Sequence, residues 1–150
     1  MAYSNFEEFR APLKYFKCLK KLIFSYCENL KISPKFAGLH LLEELSFSGC
    51  LNLMGLDSTI GDLERLCSLN LTSCCNIWKL PDRICDLKSL EILILDGCSK
   101  LKELPDDLGK LECLREVHAA ATALTFKELG DAIAMTRLLA YCWVCERSPT

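Results

Sequence analysis

The feature that most constrains this chain is a spacing that keeps returning. Leu90, Leu93, Leu95, Cys98, Leu101, Leu104 and Pro105 follow the order L-x-x-L-x-L-x-x-C-x-x-L-x-x-L-P. Twenty-four residues earlier stand Leu66, Leu69, Leu71, Cys74, Ile77, Leu80 and Pro81, and 24 before those stand Leu42, Leu45, Phe47, Cys50, Leu53 and Leu56. A step of 23 then gives Leu19, Leu22, Phe24, Cys27 and Leu30, with Pro34 in the proline position. Forward of Leu90 the copy is weaker but in register: Leu114, Val117, Ala119, Thr122. No such segment can bury its apolar face alone, so copies must stack on one another and share one core.

The framework matches the leucine-rich-repeat pattern, with Cys where Asn is more usual. The x-L-x-L-x stretch has the period of a strand, so Leu69 and Leu71 point inward while Ser68, Asn70 and Thr72 point outward. The predicted fold is α/β. It is a right-handed leucine-rich-repeat solenoid with a parallel β-sheet on its concave face and short 3₁₀ or α turns on its convex face. The predicted solenoid covers 1–124, with a partial repeat over 1–18 and repeats starting near 19, 42, 66, 90 and 114. Residues 125–150 read either as a degenerate final repeat (Met135, Leu138, Tyr141, Trp143) or as a helix burying Leu129, Ile133 and Leu138. Phe9, Leu13, Phe16 and Leu19 repeat the spacing of Leu80, Ile84, Leu87 and Leu90, so the chain reads as beginning inside a repeat. An N-terminal end without a polar cap is expected to favour self-association. Gly38, Gly61 and Gly109 recur late in the return segment, where a positive φ is expected. Asp82, Asp106 and Asp107 follow Leu-Pro elements and are expected to cap short helical turns.

Eleven cysteines are present, an odd number. The first residues have neither a basic region nor an apolar run, so no secretory signal is read, and a reducing, cytoplasmic or nuclear setting is expected. The apolar stretch Ala132–Cys145 contains Arg137 and is too short to span a bilayer, so no membrane partner is expected. Net charge is −2, with no basic stripe and no aromatic at an outward strand position, which disfavours a nucleic-acid platform. Neither phosphate-cradling glycine motif occurs. Cys142-x-x-Cys145 lacks the second pair that zinc needs. His118 falls outward while the recurring cysteines face inward, so no Cys–His nucleophile forms. No enzyme activity, metal or cofactor is expected.

Cys27, Cys50, Cys74 and Cys98 form a predicted structural column of buried thiols, each able to donate one weak hydrogen bond. A disulfide chain and a metal ladder along it are both set aside, since each repeat supplies one inward sulfur. The candidate partner-binding face is the set of outward strand residues: Lys21, Ile23, Ser25, Glu44, Ser46, Ser48, Ser68, Asn70, Thr72, Ile92, Ile94, Asp96, Glu116 and His118. Ile92 and Ile94, with Ile23 further off, stand where water is expected. They mark contact with a partner or another domain, unless β propensity alone selects them.

The wording of two stretches is more specific. Leu69-Asn-Leu-Thr-Ser-Cys-Cys-Asn-Ile-Trp-Lys-Leu-Pro-Asp-Arg-Ile-Cys-Asp-Leu-Lys-Ser-Leu-Glu-Ile-Leu93 and Asp96-Gly-Cys-Ser-Lys-Leu-Lys-Glu-Leu-Pro-Asp-Asp-Leu-Gly-Lys-Leu111 resemble the repeats of plant intracellular disease-resistance receptors. The nearer likeness is to the class with a Toll/interleukin-receptor N-terminal domain, and Ala119-Ala-Ala-Thr-Ala123 is similar to a stretch that follows such repeats there. The resemblance implies a protein partner: a pathogen effector, a guarded host protein, or the receptor's own nucleotide-binding domain. After Leu124 the family's continuation is replaced by Thr-Phe-Lys-Glu-Leu-Gly-Asp-Ala-Ile, and no signalling or nucleotide-binding module lies in this sequence. A general intracellular protein–protein scaffold, or a remnant without signalling of its own, are the alternative readings.

Overall fold

The computed structural model describes residues 4–125 together with Lys127, Glu128 and Gly130. Five three-residue strands, β1 (Lys21–Ile23), β2 (Glu44–Ser46), β3 (Ser68–Asn70), β4 (Ile92–Ile94) and β5 (Glu116–His118), form one sheet in sequence order, every pair parallel. Leu22, Leu45, Leu69, Leu93 and Val117 are register partners across it. The returns carry 3₁₀ segments: η1 (Leu13–Tyr15), η2 (Ser58–Asp62), η3 (Asp82–Asp86) and η4 (Asp106–Lys110). The return between β1 and β2 carries no 3₁₀ segment, and that repeat is the one a residue shorter. This is a leucine-rich-repeat solenoid. Strands pack about 4.8 Å apart while the returns are bulkier, so the stack bends with the sheet on its inner, concave side.

The two sides share one core. Inward strand leucines, column cysteines and the returning Leu80, Ile84, Leu87, Leu108 and Leu111 form a single cluster. One core position shrinks along the stack: Phe24, Phe47, Leu71, Leu95, Ala119, all buried. Phe24 and Phe47 stack with centroids 5.0 Å apart, Phe9 meets Phe24 edge-on at 5.2 Å, and Phe36 meets Phe47 edge-on at 6.4 Å. Glu8 bridges to Ile32 in parallel, and Lys31 N donates to Glu7 O at 2.9 Å, so chain ahead of β1 also lies along the next turn of the coil.

Two expectations need correction. The left-handed position is not at Gly61 or Gly109, which lie inside η2 and η4. Among these three glycines only Gly38 has positive φ, at 89°. Gly61 is small because the next coil presses on it: a Cβ there would sit 2.8 Å from the Arg83 carbonyl oxygen. The recurrent left-handed site is instead the residue just before the column: Tyr26 (φ 56°), Gly49 (76°), Ser73 (59°), Gly97 (76°) and Ala121 (54°). There the chain leaves the strand, and the following amide bonds back, as Cys74 N does to Leu71 O at 3.0 Å.

The second correction concerns caps. Pro81 and Pro105 hold the N-cap positions of η3 and η4 with no side-chain cap bond, so Asp82, Asp106 and Asp107 are first-turn residues. Asp82 pairs with Lys79 at 3.4 Å and Asp107 with Lys110 at 2.8 Å. The aspartate that does cap is Asp57, whose Oδ1 accepts from Thr59 N at 2.9 Å. At the far end, Thr125 N donates to Glu128 Oε2 at 2.5 Å while Glu128 N donates to Thr125 Oγ1 at 3.5 Å, a reciprocal capping box. Of the stretch 125–150 only Thr125, Lys127, Glu128 and Gly130 are described, so the sixth repeat or helix anticipated there otherwise lies outside the described residues.

Candidate functional site

Each strand pairs one inward residue with two outward ones, so stacking in register sets the outward residues in rows. Lys21, Glu44, Ser68, Ile92 and Glu116 form one row, and Ile23, Ser46, Asn70, Ile94 and His118 the next. Ser25, Ser48, Thr72 and Asp96 follow beyond the strands, partly buried. The fourteen candidate residues thus share one surface. Ile23 is 43% exposed, while Ile92 and Ile94 lie side by side on β4, half-buried.

Much of the polarity of this face is spent within it. Lys21 Nζ pairs with Glu44 Oε1 at 2.7 Å, and that carboxylate raises the pKa of the ammonium. Lys20 and Glu43 pair alongside at 3.1 Å, so the charged doublets at these strand starts zip one coil to the next. Asn70 Oδ1 accepts from Thr72 N at 2.9 Å and Thr72 Oγ1 at 2.7 Å; Asp96 Oδ1 accepts from Ala120 N at 2.7 Å. His118 Nε2 lies 3.2 Å from Glu116 Oε2 on its own strand. The isoleucines therefore sit among small polar groups, of which the Thr72 hydroxyl and the Asn70 and Asp96 side-chain oxygens already accept or donate within the face, while the Asn70 amide N–H groups stay open to a partner's acceptors.

Behind the sheet, all four column cysteines are fully buried thiols. Each later thiol donates one repeat back: Cys50 Sγ to Phe24 O at 3.2 Å, Cys74 Sγ to Phe47 O at 3.1 Å, and Cys98 Sγ to Leu71 O at 3.2 Å. Cys27 Sγ reaches Ser25 O at 3.9 Å. Burial drives the Cys50 and Cys98 thiols up to about 12 and raises Cys74 as well, so these sulfurs stay protonated and non-nucleophilic. Among the described residues no group of three or more His, Cys, Asp or Glu is placed to hold a metal ion, and no helix is long and apolar enough to cross a membrane.

The sequence reading overlooked a surface on the strand-exit side. Met54 is 51% and Trp78 62% exposed, beside Asn52 and Asn76. The signal was present, since Asn29, Asn52 and Asn76 each stand two residues after a column cysteine.

No protein-family model matches the sequence, and no curated protein resembles it significantly. Solved structures do resemble the fold. A leucine-rich-repeat protein of Leptospira interrogans superposes with TM-score 0.58 at 22% identity, covering 95% of this chain and 42% of that one. The plant peptide hormone receptor RGFR1 in complex with RGF2 matches at TM-score 0.42 and 22% identity, over 81% of this chain and 26% of the receptor. The leucine-rich repeat domain of the type III effector XopL matches at TM-score 0.47 and 17% identity, over 93% of this chain and 67% of that domain. This chain spans less than half the length of the first two, and what the first likeness establishes is the leucine-rich-repeat fold.

Proposed function

We propose that this chain is a protein-recognition module whose concave sheet face is the contact surface. We further propose that it is the repeat region of a plant intracellular immune receptor of the Toll/interleukin-receptor type, working in the cytoplasm without enzymatic activity. The observation that carries the first part is the outward pair Ile92 and Ile94, flanked by Asn70, Thr72 and Asp96, on the curved sheet face. A partner that covers it buries apolar surface at about 25 cal/mol per Å² and can accept from the open Asn70 amide beside it. The Gly-Cys-x-x-Leu and Leu-Pro-Asp wording carries the second part, and a pathogen effector, a guarded host protein or the receptor's own nucleotide-binding domain are the partners it implies.

The test is capture from plant cells expressing the tagged chain beside an Ile92→Asp, Ile94→Asp form. Two charges placed in a buried contact should reduce recovery of a true concave-face partner at least tenfold. Equal recovery by both forms moves the site elsewhere. A partner with no place in defence signalling would leave a general scaffold as the better reading.

A further inference from the structure

A second register runs along the strand-exit side, away from the concave face. Two residues past successive column cysteines stand Asn52, Asn76 and Lys100, and their side chains are joined across repeats. Lys100 Nζ donates to Asn76 Oδ1 at 2.6 Å, Asn76 Nδ2 donates to Asn52 Oδ1 at 3.1 Å, and Asn52 Nδ2 donates to Glu28 O at 2.8 Å. Met54 and Trp78, two residues further along the chain, project beside this ladder. With Lys31 these side chains line an open groove of about 470 Å³.

The lining specifies its occupant by what is left unused. An Asn amide has two N–H donors and two acceptor lone pairs. The ladder consumes one of each at Asn52 and at Asn76, leaving each with one donor and one acceptor. That is the complement of a single peptide group. A sugar presents hydroxyls far more densely than two half-used amides can satisfy, whereas Trp78 and Met54 suit the apolar side chains of a peptide. The charge in the lining is also one-sided: two ammonium groups, Lys31 and Lys100, and no carboxylate, on a chain of net charge −2. Lys31 pairs with Glu7 at 3.1 Å outside the groove, a solvent-exposed contact that a ligand carboxylate can exchange with.

We infer that the groove lined by Trp78, Met54, Asn52 and Asn76, between Lys31 and Lys100, binds an extended acidic peptide segment of a partner protein. It is a different surface from the concave face, and it stands or falls independently of that face.

The probe is a fluorescein-labelled, end-capped hexapeptide of alternating Asp and Leu, titrated with the whole chain and read by anisotropy. Its analogues with Asn or Lys for Asp, and an acidic oligosaccharide (oligogalacturonate), are run beside it. Saturable binding of the Asp form is expected, at least fivefold tighter than the Asn form, with none of the Lys form. Trp78→Ala should weaken it roughly tenfold, and Asn76→Ala about fivefold through loss of a hydrogen-bonding amide. The exposed convex-side Lys88→Gln should bind as wild type. Because Trp78 is largely solvent-exposed, its variant should melt within a few degrees of the parent, which separates lost binding from lost fold. Failure of the Asp peptide to bind, indifference to Asp against Asn, or full binding by Trp78→Ala would each overturn the inference. Trp78-dependent binding of oligogalacturonate without the peptide would overturn it in favour of an acidic saccharide.

Discussion

Raising the pH should unfold this solenoid through its cysteine column, and the steepness can be worked out. Burial holds the Cys50 and Cys98 thiols at about 12 against an ordinary value of 9.0, and Cys74 is raised too. In the unfolded chain these thiols ionise near the ordinary value; in the folded chain they stay neutral. Between about pH 9 and 12 the unfolded state therefore binds fewer protons, and stability falls as pH rises. Below pH 9 both states keep the proton and the contribution is complete. The slope is roughly 1.4 kcal/mol per pH unit per thiol. At about pH 10.5 each thiol has cost on the order of 2 kcal/mol and the three together about 6, comparable with the whole stability of an ordinary small domain. The assay is urea denaturation followed by far-UV circular dichroism under reducing conditions, at half-unit steps from pH 8 to 10.5. Cys98→Ala serves as the control: it removes one titrating group without orphaning an acceptor, because Leu71 O also receives Cys74 N at 3.0 Å. Its stability should start lower at pH 8 and fall less steeply, the remaining slope coming from Cys50, Cys74 and the partly buried Cys85. A flat profile between pH 9 and 10.5, or identical slopes with and without Cys98, would refute the reasoning.

Other perturbations have equally definite outcomes. Leu69→Ala, at a fully buried position on the central strand, should cost about 3–4 kcal/mol in urea denaturation, and more than Leu22→Ala on the half-buried first strand. Gly61→Ala forces a Cβ to within 2.8 Å of the Arg83 carbonyl and should cost roughly 1–3 kcal/mol, whereas Gly55→Ala meets nothing within 4 Å and should be neutral or stabilising by up to about 0.5 kcal/mol. Asp57→Ala removes the one side-chain N-cap bond among the 3₁₀ segments η1–η4 and should lower stability by about 1 kcal/mol. Asp82→Ala, which caps nothing, should change it by less than about 0.5 kcal/mol.

The strands and their register were legible because a leucine at every second position, repeated each 24 residues, admits one way of stacking. The column cysteines were legible for the same reason. Glycine was misleading because recurrence does not say what smallness is for. Gly61 answers a neighbour's carbonyl, while the left-handed turn before the column is filled by Tyr26, Ser73 and Ala121 as well as by Gly49 and Gly97. An identical backbone need met by Tyr, Ser and Ala as well as by Gly leaves no mark in composition. The caps were misplaced because Pro81 and Pro105 occupy the N-cap position itself, whereas the capping Asp57 stands where its repeat lacks that proline. The exit-side groove was missed because exposure of Trp78 and Met54 depends on how the coils sit. Their spacing alone is equally compatible with core.

The central claim is that each coil lays its strand parallel to the one before, with leucines 23 or 24 residues apart as direct neighbours. Nuclear Overhauser contacts in isotopically labelled protein test this at the backbone. The account predicts cross-strand contacts linking Leu22 with Leu45, Leu45 with Leu69, Leu69 with Leu93, and Leu93 with Val117. Helical contacts three residues apart through Ser68–Asn70, or leucine contacts that skip a repeat, would contradict it.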